Sequence, residues 1–206
     1  MAPWAADNRA AHPVSTRPIP ARRPGRYGAL VEQRGPWTRH GGRTPYRTPH
    51  FHVHRDEVTR PDGRRGNYDW VQAPDQVRVA ALVDGQLLLI EQYHYLAGPL
   101  WQLPGGSVDP DDNNALTAAR RELAEETGYH GGTWTGHGFL QPLPALTDCR
   151  VHLWHVDQPT SGPAAAEPSE ADLKVLRVPL PEAVAAIHEG RLRCAPSAAL
   201  ILSLTG

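Results

Sequence analysis

The 206-residue chain has only two cysteines, Cys149 and Cys194, and only one methionine and two phenylalanines. Two cysteines without CxxC spacing or a neighbouring ligand cluster exclude both a disulfide framework and a cysteine-based zinc site. They read as reduced, buried thiols. Lysine is almost missing, Lys174 being the single one among 21 basic residues. With abundant Ala, Pro and Gly, that bias points to a GC-rich genome more than to a function. A formal net charge of −1 leaves no overall positive excess for nucleic acid. No apolar run approaches the roughly 20 residues of a membrane span, and the N-terminus lacks the apolar core of a secretion signal. The expectation is therefore a cytoplasmic protein without membrane contact, one domain of ordinary size with a tail.

What is present divides at about residue 45. Residues 1–45 show little hydrophobic periodicity and many Pro, Arg and Gly. Nine arginines up to Arg47 face only Asp7 and Glu32, a net charge of +7. Composition predicts a disordered or loosely docked arm; contact with nucleic acid or a partner subunit is the sharper alternative. Residues 46–206 carry the folded domain, with an N-terminal hairpin over 46–73 and a catalytic core over 74–206. Phe51 to Val58 alternates as a strand does, Pro61-Asp62-Gly63 signals a turn, and Tyr68 to Gln72 returns. Gln76–Val83 and Gln86–Tyr93, joined at Asp84-Gly85, form a second hairpin apolar enough for the middle of a sheet. A short strand ends at Leu103. A helix from about Asn114 to Thr127 stops at Gly128, placed for a left-handed cap. Strands follow over 133–140, 151–156 and 173–178. Pro181 and Gly190 bracket a helix, and 197–204 forms the last one. His50, His52 and His54 share one strand face, which reads as solvent-facing. This order gives an α+β sandwich.

The stretch that carries chemistry is Arg121-Glu122-Leu123-Ala124-Glu125-Glu126-Thr127-Gly128-Tyr129. Glu122, Glu125 and Glu126 stand at i, i+3 and i+4, on one helical face. Like charges so placed cost an isolated helix about 0.2–0.5 kcal/mol per pair. A hard divalent cation, Mg²⁺ or Mn²⁺, offsets that cost through oxygen ligands; a solvated acidic face is the plainer alternative.

With Gly105-Gly106 upstream, these nine residues resemble the Nudix box, the signature of hydrolases acting on nucleoside diphosphates linked to another moiety. Gly106 lies fifteen residues before Arg121 rather than the fourteen of the family. The family's earlier glutamate is replaced among Asp111, Asp112 and Asn113, with Asp112 the best substitute in a one-residue longer turn. The resemblance implies an α/β/α sandwich with a mixed central sheet. It also implies Mg²⁺ (or Mn²⁺) held by Glu122, Glu125, Glu126 and the backbone carbonyl of Gly105. Arg121 is expected to pair with Asp112 rather than touch substrate. A mobile acidic loop supplies the general base in the enzymes resembled; here Glu170, then Glu167, are its candidates, while Asp172 is suited to capping the next strand.

The likeness continues outside the box. Asp56 to Gly63, Gln76 to Leu82, Glu91-Gln-Tyr-His-Tyr95 and Leu100 to Gly106 resemble the ADP-ribose pyrophosphatase and nucleotide-sugar hydrolase branch. Pro144, fifteen residues past Tyr129, nearly matches a Pro typical of it. Arg78 is a candidate phosphate contact, and Phe51 or Tyr46 a candidate base-stacking ring. His94 stands where the branch has Arg, and a neutral His cannot supply the same bidentate charge. The branch implies a homodimer with shared sites, its N-terminal hairpin crossing to the second subunit. From the composition of the arm, deletion of residues 1–40 is expected to leave hydrolysis largely unchanged. The expected reaction yields a nucleoside monophosphate and a phosphorylated sugar. Two alternatives stay open: hydrolysis of nucleoside triphosphates or another pathway-specific nucleotide, and a non-catalytic module that binds nucleotide or RNA.

Overall fold

A computed structural model describes residues 31–164 and 171–205. Two sheets carry the architecture. The first is an antiparallel meander of β1 (Glu32–Arg34), β2 (Trp37–Arg47), β3 (His52–Thr59) and β4 (Arg65–Gln72). The boundary expected at 45/46 falls inside β2, because strand structure begins at Glu32. Composition hid this: Gly and Pro break the alternation, and an arginine serves as a core residue. Arg39 is buried and pairs with the buried Asp56 at 2.9 Å. Asp56 also accepts from Trp70 Nε1 at 3.1 Å, so its charge is both paired and hydrogen-bonded, as burial demands.

His54 corrects the solvent-facing reading of the alternating histidines. It is buried and stacked on Trp70, with ring centroids 4.4 Å apart. Its ring nitrogens meet Thr44 Oγ1 at 3.1 Å and Gln72 Oε1 at 2.9 Å. Cross-strand neighbours supply these partners, and alternation along one strand cannot reveal them.

The second sheet is mixed. Its order is β12 (Lys174–Pro179), β6 (Gln86–His94), β5 (Gln76–Val83), β10 (Val151–Asp157) and β9 (Thr133–Leu140), with β7 (Gly98–Gln102) also on β6. β5 and β10 run parallel; the other pairs are antiparallel. A two-stranded pair, β8 (Tyr129–His130) with β11 (Thr160–Ser161), lies apart. Tyr68 Oη and Val71 N of β4 donate to the carbonyls of Ala145 and Leu146, which joins the two sheets.

Period-two alternation sorts the core onto the two faces of this sheet. Val77, Val79 and Ala81 of β5 pack with Ala118, Ala119 and Leu123 of helix α1 (Ala115–Thr127). On the opposite face, Ala80, Leu87 and Leu89 pack with Ala183 and Ala186 of α2 (Leu180–His188) and Leu200 and Ile201 of α3 (Ala195–Ser203). Helices on both faces of a mixed sheet complete the α/β/α layering. Among the described residues, no helix is long and apolar enough to cross a membrane.

One irregularity positions the site. β5 and β6 pair only at Leu82–Leu87 and Val83–Gln86, and then separate. β7 takes the vacated edge of β6, and the chain beyond it crosses to β5. There Val79 N donates to the Pro104 carbonyl and Val77 N to the Gly106 carbonyl, each at 2.9 Å. The Gly105-Gly106 turn is thus held as part of the sheet.

Candidate active site

Helix α1 presents its acidic face to that turn. Asn114 caps its start, accepting from Thr117 N at 3.0 Å. Gly128 ends it at φ +74°, where its N–H donates to the Ala124 carbonyl. Glycine adopts this left-handed geometry without the Cβ penalty. Both Glu122 and Glu126 are buried, one turn apart. Glu126 Oε2 accepts from Gly105 N at 2.8 Å. Glu122 lies so close over Gly106 that a Cβ there would come within 2.6 Å of Glu122 Oε1. Gly105 itself sits at φ +138°, and a Cβ would overlap the Val77 carbonyl oxygen. Glycine is thus required by backbone geometry at Gly105, whereas at Gly106 a Cβ would displace the Glu122 carboxylate.

Arg121 joins the loop before the helix to the glutamates. Its Nη2 donates to Asp112 Oδ2 and to the Ser107 carbonyl, both at 2.9 Å. Its Nη1 donates to Glu122 Oε1 at 2.9 Å and Glu125 Oε2 at 3.0 Å. The hydrogen bond to Asp112 holds the guanidinium well above its ordinary pKa against the opposing effect of burial, with Glu122 and Glu125 adding to the rise. Asp112 also accepts from Asp109 N at 2.9 Å, which closes the longer turn on itself. Asp109 lies 3.4 Å from Arg121, a contact that the Asp-rich loop sequence did not single out.

The donors gathered here are carboxylate and carbonyl oxygens, the set preferred by hard divalent cations. One guanidinium faces four carboxylates, so added positive charge at those oxygens is electrostatically favoured. Among the described residues, no three His, Cys, Asp or Glu side chains stand ready around one ion position. Arg121 Nη1 bridges Glu122 and Glu125, and an ion bound there must share these oxygens with it or draw them away. The donor chemistry fits Mg²⁺ or Mn²⁺ with that adjustment.

Of the remaining sequence candidates, Arg78 reaches the glycine turn and the others are dispersed. Arg78, on β5, donates through Nη1 to the carbonyls of Val77 at 2.7 Å and Gly105 at 2.8 Å. His94 ends β6, its Nε2 buried and without a hydrogen-bond partner among the described residues. Phe51 is exposed beside Tyr46, ring centroids 6.0 Å apart. Asp172 accepts from Tyr93 N at 3.0 Å, tying the start of the last strand pair. Glu167 and Glu170 lie outside the described residues. Sequence reasoning missed Ser197, fully buried at the start of α3, whose Oγ accepts from Leu103 N at 3.1 Å. A serine three residues into a short apolar helix gives no local signal of a contact 94 residues away.

Comparison with known proteins bears on this geometry. The NUDIX domain model matches residues 73–196, and a nucleoside diphosphate sugar hydrolase N-terminal domain matches residues 37–71. A CMP-5'-(N-acetyl-N-hydroxy-3-aminopropyl)phosphonate hydrolase of Streptomyces rubellomurinus is 28% identical over 172 residues, 82% of each chain. An ADP-ribose pyrophosphatase of Bacillus subtilis is 28% identical over 105 residues, half of this chain and 56% of that one. A solved structure described as an ADP compounds hydrolase superposes with a TM-score of 0.73 at 19% identity, covering 86% of this chain and 95% of that one. That likeness shows the same mixed-sheet fold. The family model spans the central sheet, the glycine turn and the glutamate helix, and on that match the chain belongs to the Nudix family of pyrophosphohydrolases.

Proposed function

We propose that the chain is a divalent-metal-dependent hydrolase of a nucleoside diphosphate linked to another moiety, with ADP-ribose and nucleotide sugars the leading substrates. The products are a nucleoside monophosphate and a phosphorylated remainder. The observation that carries this reading is the pair of buried carboxylates at the Gly105-Gly106 turn, Glu126 bonded to Gly105 N and Glu122 lying over Gly106. Burying two acids without function is costly, and here both converge on one turn. The match of residues 37–71 to the N-terminal domain of nucleoside diphosphate sugar hydrolases favours a linked diphosphate over a triphosphate. A relative similar over most of both chains is named as a hydrolase of a CMP-linked phosphonate, which supports testing such a nucleotide alongside ADP-ribose and nucleotide sugars.

Glu122, Glu125, Glu126 and the Gly105 carbonyl would hold Mg²⁺ or Mn²⁺. Once bound, the metal neutralises the diphosphate and lowers the pKa of attacking water. Arg121 orients Glu122 and Glu125 through its hydrogen bonds, with Asp112 fixing the guanidinium from the other side. Glu170, then Glu167, are the candidates to take the proton from water. Phe51 is a candidate to stack on the base, and His94, in place of the branch's Arg, marks where the terminal sugar or phosphate environment differs. A cytoplasmic homodimer, paired through the N-terminal sheet, completes the reading.

The test is product analysis. The purified chain is incubated with Mg²⁺ and ADP-ribose, nucleotide sugars, a CMP-linked phosphonate, dinucleoside polyphosphates and nucleoside triphosphates, and products are resolved by mass. Formation of nucleoside monophosphate with a phosphorylated remainder supports the proposal. Pyrophosphate release from triphosphates alone shifts the reaction to the triphosphate class. Binding without turnover across the whole panel identifies a non-catalytic module.

A further inference from the structure

We infer that Arg78 is a positioning residue for the glycine turn and acts from the far side of the sheet rather than on substrate. The inference rests on the reading of the Gly105-Gly106 turn as part of the site. Along β5, Arg78 alternates with Val77 and Val79, which pack toward α1, and shares the face of Ala80, which packs toward α2 and α3. The glutamates rise from α1 on the other face. Arg78 therefore reaches Gly105 from behind.

Its contacts are already committed. Nη1 bridges two carbonyl oxygens, Val77 at 2.7 Å and Gly105 at 2.8 Å, and so links strand to turn through one nitrogen. Nε is buried and has no hydrogen-bond partner among the described residues. The N-terminal turn of α3 closes the same region, with Ser197 Oγ accepting from Leu103 N. Cys194 at the α3 cap contacts both Arg78 and Ser197; burial pushes its thiol up, but the Arg78 charge and these hydrogen bonds bring it below its usual value.

Gly105 is thus pinned from both faces: its N–H by Glu126 of α1, its C=O by Arg78. A carbonyl oxygen has two lone pairs. Arg78 takes one and fixes the orientation of the peptide that carries the other. With φ +138° and no room for a Cβ at Gly105, these two tethers add to the backbone bonds from Val77 N and Val79 N that hold the turn against β5.

Hydrogen–deuterium exchange on the full chain tests the inference without metal or substrate. In Arg78→Met, peptides covering residues 101–108 should exchange about ten-fold faster, with peptides from 52–72 unchanged. Arg78→Lys, which keeps a donor, should restore most of the protection. Manganese titration gives an independent readout: Arg78→Met should bind Mn²⁺ about ten-fold more weakly and lose roughly 100-fold in kcat, while KM at saturating Mn²⁺ shifts less than about two-fold. Wild-type exchange and Mn²⁺ affinity together with a raised KM would make Arg78 a substrate contact and overturn the inference. If Arg78→Met does not fold, the exchange of Arg78→Ala, which has no side-chain donor, against Arg78→Lys decides it; protection at 101–108 as high in Ala as in Lys refutes the clamp. Failure of the wild type to bind Mn²⁺ or turn over substrate defeats the proposed function, while the exchange comparison still judges Arg78.

Discussion

Glu126 Oε2 accepts the Gly105 N–H at 2.8 Å, joining the last turn of α1 to the turn after β7. A carboxylate 21 residues downstream thus holds the backbone of the glycine turn. Changing that carboxylate separates its electrostatic role from its structural one.

Glu126→Gln keeps an amide oxygen that can accept from Gly105 N–H but removes the charge. Turnover should fall by roughly 10²–10⁴-fold, the scale on which electrostatic and proton-transfer groups act. The midpoint of thermal unfolding should move by only a few degrees. Retained turnover would relocate the metal assignment.

Gly105→Ala places a Cβ against the Val77 carbonyl at φ +138°. Backbone strain of this kind costs on the order of 1–3 kcal/mol before any overlap is relieved. Denaturant unfolding should show at least that loss, and Mn²⁺ affinity should fall with it. Wild-type stability would mean that the turn can readjust.

The Arg39–Asp56 pair makes the N-terminal sheet a structural unit rather than an appendage. Arg39→Met leaves Asp56 buried without its cation and should cost about 3–5 kcal/mol. Arg39→Met with Asp56→Leu should recover much of that loss, measured by urea unfolding. A truncation through residue 40 removes Arg39 and β1 and should behave like the single variant. The dispensability of residues 1–40 expected from composition does not extend to these strands.

Two acid–base groups lie away from the glutamates. Burial raises Asp75, but bonds from His152 and the Arg150 N–H outweigh it, so its folded pKa lies below the unfolded value. Its contribution to stability is therefore present above about pH 4 and is lost as pH falls through the folded pKa. The stability difference between wild type and Asp75→Asn should shrink as pH falls below about 4. Thermal unfolding at a series of pH values would show it.

Cys149 is pushed up to about 11, first by burial and then by Asp75 and Asp148. At neutral pH the native thiol should resist alkylation, while the unfolded chain reacts readily. Mass analysis of iodoacetamide-treated protein reads this directly, and rapid native labelling at Cys149 would contradict it.

Much of the catalytic half was legible in the chain. The strands at 76–83 and 133–140 follow from alternation and turn residues, with the bounds found in the structure. Glu122, Glu125 and Glu126 share a face because helical spacing requires it. The N-terminal sheet was less legible. Its buried residues include Arg39, His54 and Asp56, polar types whose burial depends on partners in neighbouring strands.

The sequence by itself determined that an acidic helix follows a glycine turn, since both are local facts of spacing and backbone freedom. Only the tertiary structure decided who holds that turn. Separation of β5 from β6 brings Gly105 alongside Val77, and the two faces of the sheet then offer it Glu126 and Arg78. Periodicity assigns a residue to a face, but register and strand order choose its partner across the sheet.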